Sequence, residues 1–239
     1  MTLASTRLDK FVATQLKISR RDVRILVAQK RITVDDKIAL SIDLMINRFS
    51  QVVVNNQQLP FDSAVYLMLH KPVGVVSATK DDKHKTVLDL INEDFKSELH
   101  IVGRLDLNTS GLVLLTNDSR WSEALTSPEY KVKKHYQVAL ANKLNEDYIQ
   151  AFEKGMYFDY EDITTQPAKL NIIDEHHADV WLTEGKYHQV KRMFGRFNNP
   201  VTALHRVSIG AITLDPALNE GEYRLLDENE IASVVLKTR

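Results

Sequence analysis

The residue of this 239-residue chain best placed to do chemistry is Asp106, within Gly103-Arg104-Leu105-Asp106-Leu107-Asn108-Thr109-Ser110-Gly111. It lies two residues beyond an arginine, just ahead of a polar turn and the apolar run Leu112-Val113-Leu114-Leu115. A run so short and so apolar predicts a buried strand, and a side chain at its lip is held to fixed geometry. A carboxylate mounted there can attack an electrophile or move a proton. The competing reading is a surface ion pair of Arg104 and Asp106 beside a hairpin.

Two further segments have the composition of a site. Lys131-Val132-Lys133-Lys134-His135-Tyr136 leads a basic run into a strand that alternates Tyr136, Val138 and Leu140, so Tyr136 either packs in the core or lines a cleft. In Glu184-Gly185-Lys186-Tyr187-His188-Gln189-Val190-Lys191-Arg192-Met193-Phe194, Gly185 marks a strand-to-helix junction, and Val190, Met193, Phe194 and Phe197 form the buried stripe. Lys191 and Arg192 then fall near the positive end of a helix, where the macrodipole disfavours cations. Either an anionic partner offsets that, or both simply reach solvent.

Other chemistries lack their residues. With no cysteine there is no disulfide, thiolate zinc site or thiol nucleophile, and a reducing compartment, the cytoplasm, is expected. The histidines form no His-x-x-x-His pair, so no catalytic metal is expected. Asn108-Thr109-Ser110-Gly111 lacks the first glycine of a serine-hydrolase elbow, and no phosphate loop of the Walker type is visible. Arg7, Asp9 and Lys10 interrupt the N-terminal apolar pattern, which excludes a signal peptide or spanning helix there. No membrane association is expected.

The elements that must carry these residues divide into two domains, 1–60 and 61–239. The first holds ten Lys and Arg against five Asp and Glu, which leaves 21 against 27 in the rest. A basic unit joined to an acidic-leaning body points to a polyanion, with nucleic acid the first candidate. Leu8, Phe11, Val12 and Leu16 predict one helix, and Ser19 with Asp22 caps a second. Arg20, Arg21 and Arg24, with Lys30 beyond, face away from Val23 and Val27 as a phosphate-facing patch. Strands are expected at 32–34, 38–42 and 52–54, with an Asp35-Asp36 turn between the first two, and the polar stretch 55–63 reads as a linker. Beyond 65, strands mix with helices without strict alternation, so the class is α+β. A strand over 66–69 ends at His70-Lys71-Pro72-Val73-Gly74. Short helices are expected at 86–91 and 121–125, a longer one from Asn145 to Gly155, and a last one from Asp227 to about 236. His176-His177 reads as a loop.

Over about residues 5–50, the helix, helix, strand order with cations on the second helix resembles the S4-type RNA-binding domain, although Lys30 and Asp36 stand near places where that domain has glycine. The rest carries His70-Lys71-Pro72-x-Gly74, then Gly103-Arg104-Leu105-Asp106 with Thr109-Ser110-Gly111-Leu112, then Lys134-x-Tyr136, then Gly185-x-x-His188-Gln189-Val190-Lys191-Arg192-Met193. In order and spacing these four resemble the RsuA family of pseudouridine synthases. Trp121-Ser122 with Thr126-Ser127-Pro128, and Leu204-His205-Arg206 with Ile209-Gly210, look more like its small-subunit branch.

The resemblance implies an S4-like domain followed by a mixed, largely antiparallel-sheet synthase domain. The implied activity is isomerisation of a uridine in small-subunit (16S) ribosomal RNA, without cofactor or metal. By the family pattern Asp106 is catalytic, Tyr136 stacks on the target base, and Lys191, with Arg192 as second choice, pairs with Asp106. Arg104 contacts a phosphate and helps hold the nucleotide out of its stack, and Arg192, Arg20, Arg21, Arg24 and Lys30 meet RNA. The expected partner is ribosomal RNA or a small-subunit assembly intermediate, bound by a monomer. The alternatives are a synthase acting on large-subunit RNA and a non-catalytic ribosome assembly factor. A carboxylate-dependent hydrolase would need a second acid opposite Asp106, and no motif nominates one.

Overall fold

The computed structural model describes residues 5–47, 50–60, 64–159 and 161–236. The chain divides into two compact units, one ending at residue 63 and the other starting at 64.

In the first unit the elements are β1 (Ser5–Arg7), α1 (Leu8–Leu16), α2 (Arg20–Ala28), β2 (Ile32–Val34), β3 (Lys37–Ile38), β4 (Met45–Asn47), β5 (Val52–Val54) and β6 (Gln57–Leu59). Ser19 and Asp22 cap α2 reciprocally, side chain to backbone in both directions. Leu8, Phe11, Val12, Val23 and Val27 from the helices close on Ile32, Val34, Val52, Val54 and Leu59 from a sheet of order β3-β2-β5-β6. Both of its tight hairpins turn on two residues of positive φ, Asp35-Asp36 (51° and 62°) and Asn55-Asn56 (53° and 65°). Such turns match the twist of the strands they join, and Asp and Asn enter the left-handed region more easily than most residues. Lys30 keeps a positive φ of 57° although it is not glycine.

Three expectations change here. Residues 55–60 are no linker, because Asn55-Asn56 turns the chain back and β6 brings Leu59 into the core at 5% exposure; residues 61–63 lie outside the described residues. The strand expected over 38–42 is only Lys37–Ile38. His177 opens a strand instead of lying in a loop.

The second unit contains β7 (Tyr66–Lys71), β8 (His100–Val102), β9 (Ser110–Thr116), α3 (Ser119–Thr126), β10 (Lys134–Leu140), α4 (Glu146–Lys154), β11 (Tyr157–Phe158) and β12 (Ile163–Thr164). It continues through β13 (Lys169–Ile172), β14 (His177–Leu182), α5 (Gln189–Gly195), β15 (Val201–Ile209), β16 (Ile212–Thr213), β17 (Tyr223–Leu225) and α6 (Glu228–Ala232). A mixed sheet runs β13-β14-β10-β15-β9-β7-β17, with β16 on β15 and β8 on β9. Within it β15 and β9 pair in parallel, and the other pairs are antiparallel. The α+β class with a largely antiparallel sheet is therefore observed.

Side chains alternate across β9. Val113 and Leu115 enter the main core with Tyr136, Phe152 and Phe194, while Leu112 and Leu114 enter a second core with Trp121, Leu125 and Ile209. A strand covered on both faces has no reason to alternate polar residues, which is why its sequence is continuously apolar. Thr86 and Asp89 cap a short 3-10 helix at Val87–Leu90. Asp227 and Glu230 cap α6, but it ends at Ala232, short of the expected 236, because a capping box marks where a helix starts and not where it stops.

Candidate active site

Asp106 lies in the loop that joins β8 to β9, and two backbone hydrogen bonds and one to a serine side chain fix that loop. Thr109 N–H donates to Asp106 O at 3.1 Å, Gly74 N–H to Leu107 O at 2.9 Å, and Leu105 N–H to Ser77 Oγ at 3.0 Å. Two buried cations hold it as well. Lys71 Nζ, at the end of β7, donates to Thr109 O at 2.7 Å and Pro72 O at 2.9 Å. Arg206, on β15, donates from Nε to Leu112 O at 2.8 Å and from Nη2 to Gly103 O at 2.6 Å, with Nη1 reaching Arg104 O at 3.4 Å. Both are fully enclosed, at 0% and 1% exposure, so these carbonyls replace the water each charge has lost. Burial holds the Lys71 ammonium down to about 8, with the charge of Asp106 opposing that fall and Arg206 adding to it.

Gly111 permits this construction. Its φ is +108°, and a Cβ there would stand 2.3 Å from Arg206 O and 2.6 Å from Arg206 N. Only a residue without a side chain lets β9 and β15 come so close.

The carboxylate faces α5. His188 Nε2 is 3.3 Å from Asp106 Oδ1 and Lys191 Nζ is 3.7 Å from Oδ2. His188 immediately precedes α5 and Lys191 lies on its first turn, so both come from the entry to the helix. Gln189 anchors the approach to the helix, donating from Nε2 to Glu184 Oε1 at 2.7 Å and accepting at Oε1 from Lys186 N–H at 3.0 Å. Its side chain is buried, so the entry to α5 is tied to the core and not only to solvent.

Of the residues nominated from sequence, Asp106 and Lys191 are therefore in contact. Tyr136 is 8% exposed and belongs to the same buried cluster as Leu105 and Val190, the chain neighbours of Asp106 and Lys191. Its partner in register on β15 is Arg206. Arg192 points elsewhere. Its two terminal nitrogens meet the two carboxylate oxygens of Glu161, and its guanidinium lies 3.9 Å from the Phe158 ring centre, which holds the Glu161 carboxyl below the usual range. Arg104 is exposed and its side chain has no ion pair among the described residues. Arg20, Arg21, Arg24 and Lys30 are all exposed on the first unit, at α2 and just past it, with Val23 and Val27 buried opposite.

Sequence reasoning gave no role to His188, Lys71 or Arg206. Lys71 had a signal, a lysine closing an apolar strand and followed by proline. Arg206 stood in the Leu204-His205-Arg206 stretch, but nothing local showed that it reaches the loop across 103 residues.

A cleft of about 800 Å³ opens beside the loop, lined by Val73, Asn108, Ser110, Lys191 and His205 among others. Ser110 Oγ and His205 Nδ1 hydrogen-bond at 2.9 Å on its wall. Of the carboxylate and its two neighbouring nitrogens, Lys191 lines this space, which is large enough for a nucleotide, while Asp106 and His188 lie beyond its lining.

The RNA pseudouridylate synthase family matches residues 65–195. Ribosomal small subunit pseudouridine synthase A of Pseudomonas aeruginosa is 46% identical over 95% of this chain and 100% of its own length. The protein of the same description from Escherichia coli is 42% identical over 96% of this chain and 100% of its own length. A crystal structure of a pseudouridylate synthase superposes with a TM-score of 0.71 at 37% identity, covering 98% of this chain and 100% of that one. With matches that run almost end to end, the chain belongs to the RNA pseudouridylate synthase family and is an RNA-modifying isomerase.

Proposed function

We propose that this protein converts one uridine of small-subunit (16S) ribosomal RNA to pseudouridine. What carries this substrate is the near full-length identity to relatives described as ribosomal small subunit pseudouridine synthase A. In the reaction the bond from N1 to C1′ breaks, the uracil turns, C5 bonds to C1′, the C5 hydrogen leaves to water and N1 gains a proton. Nothing is oxidised or hydrolysed, so the task falls to groups that hold and move charge.

Asp106 is the catalytic carboxylate, attacking the sugar or removing a sugar proton to help expel the base. Lys191, 3.7 Å away, holds it in place through its opposite charge. Tyr136 stacks on the uracil and retains it while it turns, and Arg104 offers an exposed cation to a phosphate of the extruded nucleotide. Arg192 meets RNA only from the edge of its pair with Glu161. The first unit is an S4-like RNA-binding domain, with Arg20, Arg21, Arg24 and Lys30 meeting phosphates. The enzyme acts as a monomer in the cytoplasm, on ribosomal RNA or on an assembling small subunit. Among the described residues no helix is long and apolar enough to cross a membrane.

The test is tritium release from small-subunit RNA labelled at uridine C5, run with the wild type and with Asp106→Asn. Release by the wild type at a single mapped uridine and none by the variant is expected. Release only from large-subunit RNA would refute the substrate assignment, and equal release by the variant would refute the role of Asp106.

A further inference from the structure

We infer that Tyr187 is a stacking platform for a nucleobase adjoining the target uridine, so that the site grips two bases and not one. The inference rests on the functional reading above. Consecutive side chains on strands and helices point in different directions. At Tyr187 and His188 they do not: the rings lie 3.9 Å apart at 19°. The backbone of His188 explains this. Its φ of 48° and ψ of 31° are left-handed, a region a non-glycine residue enters at a cost, and such residues gather at functional sites.

His188 also reaches Asp106, with Nε2 3.3 Å from Oδ1. The strained turn therefore places the tyrosine one ring thickness beyond a direct neighbour of the carboxylate. Tyr187 is 73% exposed, against 44% for Tyr157, the other exposed tyrosine among the described residues. Tyr157 ties its hydroxyl to Asp162 at 2.6 Å, whereas the Tyr187 hydroxyl has no such partner among the described residues. Lys186 and Lys191 lie on either side of it in sequence and keep partly exposed ammonium groups.

A flat ring held out in water at the lip of a site is poorly packed in the free enzyme and suits a ligand that is itself flat. Extruding a uridine makes that ligand, because each neighbouring base loses a stacking partner when the nucleotide leaves. An aromatic side chain stacks on any base through its π-face. Tyr187 on His188 replaces the lost partner with a pile of two rings.

The test starts from the uridine that wild-type enzyme converts in small-subunit ribosomal RNA. Affinity is then measured for short RNAs containing it, intact or with the base removed from the 5′ or the 3′ neighbour. The wild type is expected to lose about fivefold or more on removal of one of the two bases. Tyr187→Ala binds intact RNA more weakly by a similar factor and no longer senses the missing base, while Tyr187→Trp still does. No loss by the wild type at either neighbour, or the same loss in Tyr187→Ala as in the wild type, overturns the platform. If the wild type converts no uridine in small-subunit RNA, the functional reading falls and the platform with it, an outcome plainly different from conversion without base sensing.

Discussion

Asp106 is paired with His188, just ahead of α5, and with Lys191 on its first turn. Replacing the carboxylate by an amide keeps the shape and removes the charge, so Asp106→Asn is expected to reduce turnover by about a thousandfold or more at unchanged RNA affinity. Lys191→Met leaves the carboxylate one partner and is expected to cost about tenfold to a hundredfold in kcat. Arg192→Gln frees Glu161, a pair open to water and of small worth to the fold. Its turnover is expected to stay within about tenfold of the wild type, and a larger loss in Arg192→Gln than in Lys191→Met would reverse the two roles. Lys191 and Arg192 are adjacent and equally charged, so the sequence left both open. A helix turns about 100° per residue, and that rotation sends one to Asp106 and the other to Glu161. Lys71 makes a separate prediction. Its value of about 8 in the folded chain lies below the ordinary 10.5. Between those limits the unfolded chain holds the extra proton, so this residue's contribution to stability rises with pH across the window; below it, the cost of burying the ammonium is present in full. Denaturant titrations at pH 7 and pH 10 are expected to show the wild type gaining on Lys71→Met as the pH rises, and an equal gap at both values would count against this.

Among the elements, β9 was the most legible. Burial on both faces left Leu112 to Leu115 with one composition, and the turn before it with another. Helices α1, α2 and α4 were readable from apolar spacing and from the caps Ser19 and Asn145. The hairpin of β5 and β6 was not, because Asn55-Asn56 among Gln57, Gln58 and Pro60 has the polarity of a tether, and only the partner strand reveals a turn. The close approach of β15 to Gly111 was equally silent, since a glycine in a strand has many causes. Its consequence is sharp. Gly111→Ala puts a methyl carbon into the Arg206 backbone at a φ of +108°, and is expected to lower unfolding free energy by about 2–5 kcal/mol. An unchanged midpoint in chemical denaturation would mean that the two strands are free to separate.

On the scale of the whole molecule, each unit packs on itself: one core from Leu8 to Leu59 in the first, and two, on either face of the mixed sheet, in the second. The charge imbalance of the first 60 residues was visible in composition, and α2 presents it on one side. Changing Arg20, Arg21 and Arg24 together to Gln is expected to weaken RNA binding and to flatten the slope of log affinity against log salt by roughly 0.7–0.9 for each phosphate left unneutralised. Turnover at saturating RNA should be affected far less than affinity. An unaltered slope would mean that these arginines meet no phosphate. What composition and local pattern left unread was long-range assembly, above all the guanidinium of Arg206 on the carbonyls of Gly103 and Leu112, 103 and 94 residues away.

That span bears on how the enzyme is born. A chain emerging from the ribosome exposes Asp106 long before Arg206 leaves the tunnel, and until then the carbonyls of Gly103 and Leu112 lack their guanidinium and β9 its parallel neighbour. Nascent chains arrested short of about residue 206 therefore carry the Asp106 loop with Lys71 as its one buried cation.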